Sequence, residues 1–162
     1  MNRETIEKIL NFLKEKENKE SPKKWKLIHE LETYPDGTQY RHKYDLYLIN
    51  SNITKLPNDL YVEYSLNLRD SIQLTKLPDN LHVEGNLTLW DCNQLTELPD
   101  NLYVGGSLGL GGTNITELPN NLYVGINLYI NNTPLAKKYT DEEIEEIVTS
   151  TGGKIEGNIY RE

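Results

Sequence analysis

The stretch Leu95-Thr96-Glu97-Leu98-Pro99-Asp100-Asn101-Leu102-Tyr103-Val104-Gly105-Gly106-Ser107-Leu108-Gly109-Leu110 carries the pattern that decides the fold. Two short runs alternate leucine or valine with another residue, Leu102-Tyr103-Val104 and Leu108-Gly109-Leu110. That period of two belongs to a β-strand. Pro99 follows Leu98 and interrupts any helix there. The same pattern recurs along the chain. Units begin at Ile53, Leu74, Leu95 and Ile115, spaced by 21, 21 and 20 residues. Written once, the unit is (I/L)-T-x-L-P-x-x-L-x-V-x-x-x-L-x-L. Residues 44–52 repeat its second half, and Leu135 opens a further unit that Ala136-Lys137-Lys138 abandons.

One coil of this kind cannot bury its own leucines, but stacked coils bury them against each other in a continuous core. The expected fold is therefore mainly β, a solenoid with a parallel sheet. The repeats occupy residues 44–135 and are flanked by an N-terminal cap, 1–43, and a C-terminal cap, 136–162. At 162 residues the whole is one structural domain. Only 36% of residues are hydrophobic, which a solenoid tolerates because each coil needs few leucines.

The run Leu108-Gly109-Leu110, then Ile115, then Leu118-Pro119, resembles the conserved segment of leucine-rich repeats. In that family a small polar residue or cysteine lies three positions after the L-x-L pair and bonds the backbone of the turn from inside. The resemblance places Ser71, Cys92, Thr113 and Thr133 in that structural polar column. Leu89, Cys92 and Leu95 also match the cysteine-bearing variant of the repeat. The likeness covers residues 44–135. The L-x-V half departs from the family because it is more strand-like, so a straighter β-helix-like solenoid is the alternative architecture.

Both ends offer caps. Ile6, Ile9, Leu10 and Leu13 form one apolar helical stripe. Pro35-Asp36-Gly37 between Trp25–Tyr34 and Thr38–Tyr44 reads as a hairpin turn, with a helix starting at Ser21-Pro22 as the alternative. Thr140-Asp141-Glu142-Glu143 is a capping box ahead of Ile144, Ile147 and Val148. Gly152-Gly153 stops that helix, and residues 154–160 read as one last strand on the final coil.

No catalytic constellation emerges, so the chain is expected not to be an enzyme. Cys92 is the one cysteine and has no activating base in the pattern; it also excludes an internal disulfide. His29 and His42 face each other across the expected hairpin, but nothing at ligand spacing completes a metal site. Gly105-Gly106 and Gly111-Gly112 lack the Lys-Ser or Lys-Thr of a phosphate loop. No metal or cofactor is expected. The formal net charge of −8 argues against nucleic acid and anionic membranes as partners. There is no apolar leader or membrane span in the sequence, and a cytoplasmic location is the expectation.

What remains is binding. Stacking turns sequence columns into rows about 4.8 Å apart. The residues between the leucines of L-x-L are Tyr47, Asn67, Thr88, Gly109 and Tyr129, and just beyond the strand come Arg69 and Trp90, then Asp70 and Asp91. Trp, Tyr and Arg dominate binding hot spots. The expected partner-binding set is Trp90, Tyr129, Tyr47, Arg69, Asp91, Asn67 and Thr88, with a protein as the partner. Trp90 packing on its own solenoid is the competing reading. A second candidate face is the column Tyr61, His82, Tyr103 and Tyr123, either a stabilising stack or a glycan-binding stripe. The expected function is a non-catalytic protein–protein interaction module, in its specific form a bacterial or viral protein that binds and inhibits a host factor. The alternative is a glycan-binding or structural surface solenoid. Five rungs span only roughly 24 Å, so the caps or a dimer are expected to enlarge the surface.

Overall fold

The computed structural model describes residues 32–33, 40–42, 44–56 and 58–161. The expected N-terminal helix, the Pro35-Asp36-Gly37 turn, Trp25 and His29 lie outside the described residues. Strands β1 (Glu32–Thr33) and β2 (Tyr40–His42) pair antiparallel. All later pairing is parallel. The L-x-V runs become β4 (Leu60–Val62), β6 (His82–Val83), β8 (Tyr103–Val104) and β10 (Tyr123–Val124). The L-x-L runs become β3 (Leu46–Tyr47), β5 (Leu66–Asn67), β7 (Leu87–Thr88), β9 (Leu108–Gly109) and β11 (Leu128–Tyr129). The chain is thus a β-solenoid with two sheets, parallel apart from the β1–β2 pair; with the last strands β12 (Lys154–Ile155) and β13 (Ile159–Tyr160), their orders are β1-β2-β4-β6-β8-β10-β12 and β13-β11-β9-β7-β5-β3. The expected L-x-L sheet is present, and the L-x-V strands build a second one of their own.

Register is in step with the repeat: Leu66 pairs with Leu87 and Leu87 with Leu108, while Val62 pairs with Val83 and Val83 with Val104. Each leucine therefore lies on its equivalent one coil away. Leu48, Leu68, Leu89 and Leu110 form one fully buried column, and Val62, Val83, Val104 and Val124 form another. Burying a leucine side chain stabilises by roughly 1.5–3 kcal/mol, and here Leu66, Leu87 and Leu108 each have an equivalent residue on the coil above and the coil below.

The inner polar column sits where the leucine-rich-repeat resemblance placed it. Ser71 Oγ donates to Leu48 O at 2.9 Å, Cys92 Sγ to Leu68 O at 3.1 Å, Thr113 Oγ1 to Leu110 O at 2.7 Å and Thr133 Oγ1 to Ile130 O at 2.7 Å. Ser51 joins the column, 2.8 Å from Ser71 Oγ. These side chains are buried, and a buried hydroxyl left without such a bond would be costly.

Two corners of every coil carry a residue in the left-handed region. One column is Asp59, Asn80, Asn101 and Asn121, with φ of 57°, 56°, 60° and 54°, closed by Gly152 at 83°. The other is Asn50, Asp70, Asp91, Gly112 and Asn132. Asn, Asp and Gly are the residues that tolerate this conformation. A third column lines the approach to the L-x-L strand. Ser65 N–H donates to Asp45 Oδ1, Asn86 N–H to Ser65 Oγ, Ser107 N–H to Asn86 Oδ1, Asn127 N–H to Ser107 Oγ and Asn158 N–H to Asn127 Oδ1, over 2.8–3.3 Å. Each coil's side chain thus satisfies a main-chain donor of the next.

The C-terminal segment differs from expectation in two respects, the first being a short additional helix ahead of the expected one. Helix α1 (Pro134–Lys138) is capped by Thr133, and α2 (Asp141–Ser150) begins with the expected capping box between Thr140 and Glu143. Residues 154–160 then form two strands rather than one. β12 (Lys154–Ile155) joins the first sheet beside β10, and β13 (Ile159–Tyr160) joins the second beside β11. Lys154-Ile155-Glu156-Gly157-Asn158-Ile159-Tyr160 is a further coil in register with residues 123–129, and the two helices replace its leucine–proline half. Arg161 occupies the position held by Ile130 one coil earlier. Its guanidinium donates to Asp141 Oδ1 at 2.5 Å, Ala136 O at 2.5 Å and Tyr139 O at 2.8 Å, so it ties the last coil to both helices.

Candidate binding faces of the two sheets

The outer face of the second sheet bears the expected binding column. Tyr47 is 51% exposed, and its hydroxyl donates to Asp45 Oδ2 at 3.1 Å. Burial, helped by that carboxylate, holds the Tyr47 phenol above its usual range. Asn67 and Thr88 stand half-buried on the next rungs, and Asn67 Oδ1 accepts from Arg69 N–H. Tyr129 stacks on Tyr160 of the last coil at 4.9 Å between centroids, tilted 14°. Tyr160 was not singled out in the sequence. Its signal is the match between residues 154–160 and 123–129.

Trp90 does two things at once. Arg69 lies over its ring, with the guanidinium carbon 5.8 Å from the centroid, a cation–π contact. The indole also reaches across to the following coil and covers Gly109. A Cβ at Gly109 would collide with Trp90 Nε1 and fall 2.8 Å from Cδ1. Glycine is the residue that admits this approach. The competing expectation, that Trp90 packs on its own solenoid, is therefore met on that side, while Arg69 keeps half its side chain exposed beside it. The structure thus brings Arg69, Trp90 and Gly109 together, with Tyr129 on the rung next to Gly109. Asp91 stands apart in role: it is a corner residue with φ 60°, on the exposed edge of the same face.

The first sheet carries the second candidate face. Tyr61, His82, Tyr103 and Tyr123 form one continuous stack, with centroids 4.5, 4.1 and 4.8 Å apart and planes within 10° of parallel. Tyr61 Oη donates to Glu84 Oε1 at 2.5 Å, and His82 Nε2 lies 3.0 Å from the same oxygen. Burial is the leading cause that raises the Tyr103 phenol, followed by the nearby Glu84 charge. Between neighbours the ring faces are already in use. What this column offers outward is ring edges and hydroxyls, whereas sugars are gripped by open aromatic faces.

Cys92 is fully buried among leucines, and burial pushes its thiol up to about 11. A nucleophile needs the opposite shift and an approach path. Among the described residues no group of three His, Cys, Asp or Glu could hold a metal ion, and no helix is long and apolar enough to cross a membrane. A cleft of about 380 Å³ lies between α2 and the leucine–proline edge and is lined by Leu118, Pro119, Leu135, Ile144 and Ile147 with Asp100. Comparison with protein-family models, with characterised proteins and with solved structures finds no match for this chain.

Proposed function

We propose that the chain is a non-catalytic protein-binding module that uses the outer face of its second sheet. The observation that carries this reading is the contrast between the two sheets. On the first, rings on four successive rungs are consumed by stacking on each other. On the second, the equivalent column changes at every rung, from Tyr47 through Asn67, Thr88 and Gly109 to Tyr129. It is bordered by Arg69 over Trp90. A varied column with exposed Tyr and Arg combines apolar area with directed donors, which is the composition of a hot spot.

The resemblance to leucine-rich repeats supports the same face, since the L-x-L strands are the ones that family presents to partners. The net charge of −8 favours a partner with a basic surface and disfavours nucleic acid. In its specific form the proposal is a bacterial or viral protein that occupies and inhibits a host factor inside the cell. The glycan reading has less support, because the ring faces of the tyrosine column are taken.

Affinity capture from the source cell's lysate tests the proposal, with wild type compared with Tyr47→Ala/Arg69→Ala. Both side chains are at least half exposed, so the fold is retained. Loss of one captured protein from the variant is the expected result. Equal capture by the two proteins would remove this face from the account.

A further inference from the structure

Among the described residues, the coil at 154–160 is the outermost of the stack on its side. β12 and β13 are the outermost strands of their sheets, and among the described residues nothing pairs with their far edges. The alternation of the backbone decides which groups face outward. Lys154 and Glu156 donate back to Leu122 O and Val124 O at 2.7 and 2.9 Å. Ile155, between them, therefore aims its N–H and C=O at the open end. On the other sheet Leu128 N–H donates to Asn158 O at 3.0 Å and Ile130 N–H to Tyr160 O at 2.8 Å. Asn158 N–H also reaches back, to Asn127 Oδ1. Ile159, between those two, likewise faces outward. Each edge thus presents one residue with both main-chain groups directed away from the stack, and in both it is an isoleucine.

The geometry points to a second copy of this chain as the occupant of this end, two stacks meeting about a two-fold axis with Ile155 opposite Ile155 and Ile159 opposite Ile159. Two residues in an antiparallel pair exchange both N–H···O bonds in this way. The proposed axis lies perpendicular to the stack, on the line through Ile155 and Ile159, with the turn at Gly157 between them. The same axis sets Lys154 opposite Glu156 of the second copy, and Glu156 opposite Lys154 of the second copy. These two side chains already pair within one chain at 2.7 Å, so the contact becomes four alternating charges. The apolar side agrees. Val124 and Leu128 are fully buried, whereas Ile155 and Ile159 in the equivalent positions of the last coil are only partly so. The second copy supplies the missing layer. Ile144, Ile147 and Thr151 line a cleft with Asp100, Glu117 and Asn120 of earlier coils, so that side of α2 faces back along the flank. Such an interface is isologous and closed, which stops further growth of an otherwise sticky edge.

Light scattering on the full chain, across a concentration series, tests this. Wild type is expected to pass from one chain to two. Lys154→Glu places two like-charge pairs across the axis and is expected to weaken association roughly tenfold. Lys154→Glu/Glu156→Lys reverses both signs, stays self-complementary and is expected to restore it. Circular dichroism on each variant establishes that the stack is folded. Amide exchange at Ile155 and Ile159 is expected to slow as dimer forms. A single-chain mass throughout, a dimer indifferent to Lys154→Glu, failure of the double variant to recover, or unchanged exchange at the two isoleucines would each overturn the proposal.

Discussion

Replacing Asn101 with alanine and, separately, with glycine isolates what this corner residue contributes. Its φ of 60° places it in the left-handed region, with its side chain exposed. Its Oδ1 accepts from Asn121 Nδ2 at 3.0 Å. Alanine in that conformation costs about 1–2 kcal/mol from the clash between its Cβ and the following carbonyl. Loss of the exposed hydrogen bond adds about 0.5 kcal/mol. Glycine loses the same bond but not the backbone term, and pays about 0.5–1 kcal/mol of chain entropy. The two variants therefore separate by roughly 1 kcal/mol, with glycine the more stable. At an ordinary strand or helix position the order is the reverse. Urea unfolding at constant m-value reads the difference directly. An Asn101→Ala protein as stable as Asn101→Gly, or more so, would refute the claim that the Asn/Asp column exists to turn the coil.

Three further outcomes follow from the same geometry. Gly109→Ala is expected to drive the Trp90 indole off the sheet; in a Trp25→Phe background the emission should shift to the red, and an unchanged spectrum would contradict the packing. Cys92 titrates at about 11 in the fold against an ordinary 9.0. The unfolded chain therefore loses its proton first, and stability should fall as pH rises from 9.0 towards 11, a decline that Cys92→Ser removes. Arg161→Ala strips the last coil of three charge-assisted bonds and should lower stability by about 1–2 kcal/mol, with exchange quickening first in β12 and β13.

Much of the fold was legible because a period of two, repeated every 20 or 21 residues, leaves few arrangements for the leucines. L-x-V and L-x-L each became a sheet, and the inner Ser/Cys/Thr column fell where the resemblance to leucine-rich repeats placed it. The corners were less legible. Asp70 and Asp91 read as part of a partner-facing row, yet with Gly112 and Asn132 they share a positive φ. The signal was there, since those residue types are the ones the left-handed region admits. The column from Asp45 to Asn127 was likewise made only of short acceptors, as a ladder of main-chain donors requires. Of the candidate site, the rows were visible in the sequence but the contacts within them were not. Trp90 turns onto Gly109 because a neighbouring coil lacks a Cβ, and Arg69 covers what remains. Such directions depend on which residue stands one coil away. The last coil was read as a single strand because Gly157, its corner, was not matched to the turn at residues 125–126.

The central claim, that the second sheet is the binding face, is tested most directly by placing a photo-crosslinking amino acid at Asn67 and, in a separate protein, at Tyr103. Both sites lie at the middle of a rung, on opposite sheets. Irradiation in the source cell is expected to yield one discrete protein adduct from position 67 and none from position 103. An adduct from position 103 alone, or from neither, would contradict the account.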